Sequence, residues 1–327
     1  MRRRTLFVAL ISWLVVFSAS ANTNSAKPTV IVMAGAAGED EFGKVFVEAA
    51  QSWRRAAEKA EVNLVEIGIT NAAATNDLAL FHAALAKEPK ETSTELWIVL
   101  LGHGTFDGRE AKFNLHGPDL SASALSNTLA AFHRPVAIIN AASSSSPFIK
   151  ALSGKNRVIV TATRSGAEEN YARFNKFISQ AIADPEADLD KDGQTSLLEA
   201  FLMASRRVTE FYKSEGRLAT EHALLDDNGD GLGTPADWFR GIHAVKKAAN
   251  NAPLDGMRAH QWHLVRSKED QRLSSEQRKR RDDLELEIGR LRDQKTSMSE
   301  DEYYRQLEEL LTKLGEIELS NETSAGK

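Results

Sequence analysis

Short runs of apolar, β-branched residues alternate along the chain with stretches whose apolar positions recur every three to four residues. The runs at 29–33 (TVIVM), 63–67, 96–101 (LWIVLL), 135–140 (PVAIIN) and 158–162 (VIVTA) read as strands. The stretches 41–60, 76–86, 122–132 and 148–152 read as helices, the first with Phe42, Val45, Phe46, Ala49 and Trp53 on one face. A short hairpin is expected over 105–115. Strands apolar throughout, separated by helices, predict an α/β fold with a mainly parallel sheet covered on both faces. In such sheets ligands bind beyond the carboxyl ends of the strands, so the polar residues directly after each strand carry the functional interest.

The pattern changes after the fifth strand. Helices are expected over 168–183 and 197–213. From residue 267 the chain is highly charged and carries two narrow apolar stripes. Leu284, Ile288 and Leu291 form one; Tyr303, Leu307, Leu310, Leu311, Leu314 and Ile317 form the other, with a polar link at 296–299. This spacing fits a helical hairpin or coiled-coil arm, and equally an extra helical pair folded onto the domain. As an arm it would offer a seam for a protein partner or for self-association. The expected organisation is therefore an α/β domain at 28–184, a calcium-binding helical region at 185–265, a helical hairpin at 267–320 and a disordered tail at 321–327.

Residues 1–21 belong to none of these. Arg2, Arg3 and Arg4 precede an apolar run at 6–17, and Ala19-Ser20-Ala21 follows as a small-residue cleavage site. The run is shorter than the ~20 residues a bilayer needs, so it reads as a secretory signal peptide. The protein is expected to be exported, periplasmic or secreted, with no transmembrane segment after cleavage. The chain has no cysteine, which excludes disulfides, a thiolate nucleophile and Cys-ligated metal. Its formal net charge of -5 gives no footing for nucleic acid.

The strongest chemical signal lies at 188–199. Asp188, Asp190 and Asp192 occupy positions 1, 3 and 5 of an EF-hand-type loop, and Gly193 permits the sharp turn. Gln194 offers its backbone carbonyl, Ser196 can hold a water and Glu199 closes the shell in bidentate fashion. A hard cation needs six to eight oxygens, and this spacing wraps them around one point, so the expected cofactor is Ca2+. Thr195 stands where an aliphatic residue is usual. A second, weaker match follows: Asp226, Asn228, Asp230, Leu232 (through its carbonyl), Thr234 and Asp237. There position 12 is the shorter Asp237, and Pro235 interrupts the exit into a helix.

Two strand ends carry the remaining chemistry. Leu101-Gly102-His103-Gly104 follows the third strand, and Asn140-Ala141-Ala142-Ser143 ends the fourth. This order resembles the caspase-like clan of cysteine peptidases, and the legumain-like enzymes in particular. In those enzymes the catalytic histidine follows one strand and the nucleophilic cysteine ends the next. The stretches 151–154 and 161–166 look like those of bacterial relatives, and the resemblance covers 28–184. It implies a three-layer caspase-like sheet, with Arg164 and Ser165 helping to form the pocket for a substrate side chain. A cation there would suit an acidic or amide-bearing group; a surface ion pair of Arg164 with Glu168 or Glu169 is the plain alternative.

The chain departs from the family at the nucleophile. The Glu-Ala pair that precedes the cysteine is matched by Asn140-Ala141, so the cysteine position falls on Ala142, and thiolate chemistry is impossible. What remains is His103 opposite the run Ser143–Ser146. One reading is a peptidase homologue without catalysis, its pocket, calcium loops and helices serving binding or assembly. A second is a hydrolase in which His103 activates Ser143 and Asp107 orients the imidazole. In a third, the chain is a calcium-dependent structural module. The serine run also has a structural reading, with Ser146 capping the helix that Pro147 begins.

Overall fold

The computed structural model describes residues 27–69, 76–249 and 252–325. The expected signal peptide lies outside the described residues. Among those described, no helix is long and apolar enough to cross a membrane.

Five strands form the parallel centre of a seven-stranded sheet: β1 (Thr29–Ala34), β2 (Asn63–Ile67), β3 (Leu96–Leu101), β7 (Val136–Asn140) and β8 (Arg157–Thr161). Between β3 and β7 the chain makes a small separate sheet of β4 (Gly104–Phe106), β5 (Ala111–Phe113) and β6 (Leu120–Ser121), which includes the expected hairpin. Alternation along each central strand splits its side chains between two cores. Val30, Val32, Val99 and Ile139 meet helices α1 (Asp40–Lys59), α5 (Phe174–Ala181) and α6 (Leu197–Ser214). Ile31, Met33, Leu100 and Ile138 meet α2 (Asp77–Lys87), α3 (Ala122–Leu129) and α4 (Pro147–Leu152). Both faces are covered, which is why these strands read as unbroken apolar runs.

The sheet does not end where the fifth strand does. β9 (Leu224–Asp226) pairs antiparallel with β8, and β10 (Thr234–Pro235) pairs antiparallel with β9. The α/β domain therefore extends past the expected boundary at 184. Helix α6, expected in a separate calcium-binding region, buries Leu197, Phe201 and Ala204 in the core beneath the sheet. The segment at 188–199 is part of a crossover within one unit, because its exit helix supplies that core.

A two-stranded ribbon of β11 (Phe239–Arg240) and β12 (His243–Ala244) follows, then short helices α7 (Met257–His260) and α8 (Lys268–Arg272). Helices α9 (Ser275–Asp293) and α10 (Glu300–Ala325) form the expected hairpin, turning at Lys295–Ser297. Leu284 packs with Leu310, Leu314 and Ile317, while Lys295 at the turn sits over the Tyr303 ring, so the two helices run antiparallel. The hairpin is docked on the domain. Met257 of α7 lies against Gly289 so closely that a Cβ there would overlap its Sδ, at 2.7 Å. The Gln261 amide donates to the Asp282 carbonyl at 2.7 Å. Helix α10 continues to Ala325, into the segment expected to be a tail.

Candidate functional site

The parallel pairing of β3 with β7 brings the two chemically marked strand ends side by side, Leu100 opposite Asn140. Ser143 and Gly104 are in direct contact across this gap. The Ser143 hydroxyl donates to the Gly104 carbonyl at 3.1 Å and accepts the Gly104 N–H at 3.1 Å. A Cβ on Gly104 would sit 2.4 Å from the Ser143 carbonyl oxygen, so glycine after His103 is required by this close approach. Ser143 is buried and both hydrogen-bonding directions of its hydroxyl are used. Ala142 is buried too, its methyl part of the apolar core and its N–H donating to Asn140 Oδ1 at 3.2 Å.

His103 is held by aromatic rings. Phe42 lies edge-on at 4.9 Å between centroids, Phe46 at 5.3 Å and Tyr171 at 5.8 Å. Burial among them lowers the imidazole pKa, partly opposed by a hydrogen bond with the Ala37 backbone. Among the described residues no carboxylate hydrogen-bonds this ring. Asp107, the expected orienting residue, instead caps the turn between β4 and β5, accepting the Arg109 and Glu110 N–H groups at 2.8 Å each. Burial also pushes the Tyr171 phenol up to about 12.

The other serines are structural as well. Ser145 is buried and its hydroxyl accepts the N–H groups of Ala162 and Thr163, at 3.0 and 3.3 Å, tying the loop to the end of β8. Ser146 does not cap α4 through its side chain; its own N–H donates to the Thr163 hydroxyl at 3.1 Å. Ser144 takes a positive φ of 53° and its buried hydroxyl has no partner among the described residues. Its N–H donates to the Glu168 carbonyl at 2.9 Å.

Arg164 and Ser165 do reach this edge, but as an exposed turn. The Arg164 guanidinium meets Glu168 at 3.4 Å, and Ser165 Oγ accepts the Ala167 N–H. Glu168 also takes His222 Nδ1 at 2.6 Å, a pairing no sequence spacing announces because Glu168 precedes α5 and His222 follows α6. The arginine thus has the surface ion pair that was its plain alternative.

At 188–199 the chain forms a tight loop leading into α6. Oxygens of Asp188, Asp190 and Asp192 lie within 4.8 Å of one another, and among the described residues they are the only such carboxylate or histidine trio. Asp188 accepts the N–H groups of Lys191 and Gly193, Asp190 that of Asp192, and Asp192 that of Gln194. Lys191 and Gly193 both take positive φ, 66° and 87°. Burial raises the Asp192 pKa, and its neighbours Asp188 and Asp190 add to the rise. Glu199 is buried and stands at the third position of α6 in a capping box with Ser196. One carboxylate oxygen accepts Leu189 N–H at 2.7 Å and Asp190 N–H at 3.4 Å; the other takes the Ser196 hydroxyl and N–H at 2.8 Å each. The Gln194 side chain accepts Ser267 N–H at 3.0 Å, and Ser196 bridges to His263, so this loop pairs with the segment after α7 and not with the second loop.

The second loop is the turn joining β9 to β10, with no helix leaving it. Asp226 accepts Gly229 N–H, Asn228 accepts Asp230 N–H and Asp230 accepts Leu232 N–H. Thr234 is buried at the start of β10. Asp237 is exposed in the one-turn 3-10 helix Ala236–Trp238 and makes no hydrogen bond to the loop. β10 carries the chain away along the sheet, which places Asp237 beyond the turn.

No protein-family model matches this chain, and no curated protein matches it. Among solved structures, the Drosophila initiator caspase Dronc overlaps 68% of this chain and 93% of its own, at TM-score 0.42 and 12% identity. A protein from Geobacter sulfurreducens overlaps 55% and 89%, at TM-score 0.37 and 13% identity. Caspase-1 from Spodoptera frugiperda overlaps 62% and 86%, at TM-score 0.40 and 8% identity.

Proposed function

We propose that this is an exported, calcium-stabilised binding or assembly protein, built on a peptidase-like α/β frame that has no catalytic nucleophile. The observation that carries the calcium reading is the convergence of the Asp188, Asp190 and Asp192 oxygens within 4.8 Å at the entry to a helix that fills the core. Three carboxylates at that spacing repel one another unless a cation joins them. The aspartates fit the group: their donors are hard oxygens, Gln194 would add its carbonyl and Ser196 a water, while Glu199, whose two oxygens accept hydrogen bonds from Leu189, Asp190 and Ser196, would join only by giving some of these up. Ca2+ would supply charge neutralisation and a fixed angle between the loop and α6. The signal-peptide pattern supports delivery to the periplasm or the outside of the cell.

The absence of catalysis is supported at the strand ends. Ala142 offers only a methyl, and Ser143 has committed its hydroxyl to Gly104. Among the described residues no carboxylate pairs with His103 to raise its basicity for serine chemistry. The inner stripes of the C-terminal helices pack largely on each other, which leaves Tyr304, Leu311 and Leu319 of α10 as the exposed apolar positions a partner or second copy would meet.

The test is an activity-based serine-hydrolase probe applied to the purified mature protein, with and without calcium. No labelling is expected in either buffer. Labelling that Ser143→Ala abolishes would replace this reading with the hydrolase reading.

A further inference from the structure

We propose that the cleft at the amino-terminal edge of the sheet binds a small organic anion, a carboxylate, sulfonate or phosphate group carried on an apolar body. Arg258 and Arg278 meet the charge and Trp262 the body. The site lies at the other end of the strands from His103 and Ser143, and it depends neither on them nor on the calcium loop.

The segments that lead into the five parallel strands converge there. Pro28 precedes β1, Val62 β2, Glu95 β3, Pro135 β7 and Asn156 β8, and all of them line one cavity of about 740 Å3. The facing wall is the chain from Arg258 to Arg266 and the amino-terminal part of α9, Ser275 to Leu286. Arg266 spans the two walls, reaching Glu95 at 2.6 Å. Cavities that hold small ligands run to ~300–1,000 Å3, so this one has room for such a molecule. Its apolar side is given by Trp97, Trp262 and Leu264, all buried, with the two indoles edge-on at 5.2 Å between centroids.

The charges of the lining do not balance. Of its carboxylates, Glu95 is paired with Arg266, Asp282 with Arg281 and Asp283 with Lys279. That leaves Lys27, Lys59, Arg258 and Arg278 against Glu61, and none of these five forms an ion pair among the described residues. The excess is positive in a chain whose formal net charge is -5. Arg278 is the most telling of the four. It is half-buried, and its Nη1 donates to two backbone carbonyls, Asp270 at 3.0 Å and Leu273. The Asp270 carboxylate itself is taken by Arg266 and Arg281. Burial and the neighbouring Arg266 lower the Arg278 pKa, as expected of a guanidinium short of anions. An anion on an apolar body would cover both the unpaired cations and the indole.

His263 is a separate observation on the same wall. It lines the cavity, is 7% exposed, and neither ring nitrogen has a hydrogen-bond partner among the described residues. Burial, with Arg266 beside it, drives its pKa down to about 3, so the ring is neutral and carries one N–H that nothing receives. A buried donor without an acceptor is costly, and most native ones are satisfied. Acceptor oxygens are what this lining lacks, and an anionic head group supplies them.

The experiment is a fluorescence titration of the mature full chain, in chelator, with anilinonaphthalene sulfonate and with phenylnaphthylamine, its neutral counterpart. Energy transfer from tryptophan reads the bound dye. The sulfonate should saturate at one molecule per chain and bind about tenfold or more tightly than the neutral compound. Arg258→Gln and Arg278→Gln should each weaken the sulfonate by about tenfold, and Arg278→Lys should keep part of the affinity. Arg278 also holds two carbonyls, so an unchanged circular dichroism spectrum is the check on folding; the Arg258 side chain has no hydrogen bond or ion pair among the described residues to lose. Naphthoate and naphthyl phosphate should displace the dye, and the tighter of the two identifies the head group. Equal affinity for the neutral compound, no saturable binding below about 1 mM, unchanged affinity in both glutamine variants, or failure of both competitors would overturn the assignment.

Discussion

At the scale of single residues, the region that resembles a peptidase site is an assembly of hydrogen bonds. Ser143 links the ends of β3 and β7 by serving Gly104 as both donor and acceptor. Ser143→Ala leaves a buried N–H and a buried carbonyl without partners, and should destabilise the fold by about 1–3 kcal/mol in urea denaturation. An exposed nucleophile would cost almost nothing to remove. His103 offers a second check. Its pKa is depressed by burial, so the unfolded chain binds a proton that the folded chain resists. The stability it contributes is fully present above its ordinary value of 6.5 and is lost as pH falls below that. Its imidazole signal in a nuclear magnetic resonance titration should move below pH 6.5. A titration above 7 would indicate a carboxylate partner and reopen the general-base reading. The sequence showed which residues would meet here, because strand ends in a parallel sheet fall in line. It could not show that Ser143 would face a backbone amide and carbonyl, or that Asp107 would be consumed by its own turn.

At the scale of elements, the helices and their apolar stripes were legible, and their attachment was not. The run from 267 looks self-contained because its stripes complement each other. The anchor is polar and scattered through the chain. Asp270 is almost completely buried between Arg266, at 2.8 Å, and Arg281, and Arg266 reaches Glu95 at the head of β3, at 2.6 Å. Both arginines hold the Asp270 carboxyl below the usual carboxylate range, against the opposing effect of burial. Asp270→Asn would remove the anion the two guanidinium groups share, Arg266 keeping Glu95 and Arg281 keeping Asp282, and should cost roughly 1.5–3 kcal/mol, measured by chemical denaturation. A change below about 1 kcal/mol, typical of an exposed pair, would mean that the hairpin is only loosely attached. The two aspartate loops make the same contrast. The first was readable because every oxygen lies within one short stretch. The second was readable only through Thr234, since the carboxylate that completes its hydrogen bonding, Asp255, arrives through tertiary structure.

At the scale of the molecule, the α/β class followed from five apolar runs, and the structure bears it out with a mainly parallel sheet. The last two strands were missed because β9 is three residues long and β10 two, too short for any periodicity to register. They matter because they bring α6 and the first aspartate loop inside the α/β unit. Closing that loop around a cation should therefore appear as stability of the whole fold. For free calcium ~10- to 100-fold above the dissociation constant, linkage gives roughly 1.4–2.7 kcal/mol, if the unfolded chain does not bind. That corresponds to a melting shift of roughly 2–4 °C for a chain of this size. Glu199→Gln also weakens the capping box at Ser196, so it should lower the melting temperature in both buffers; the informative quantity is the difference between them. The most direct measurement is a thermal melt of the mature protein and of Glu199→Gln, each in millimolar calcium and in chelator. The account predicts a higher melting temperature in calcium for the unmutated protein and most of that difference lost in the variant. Equal melting temperatures in the two buffers for the unmutated protein would contradict it.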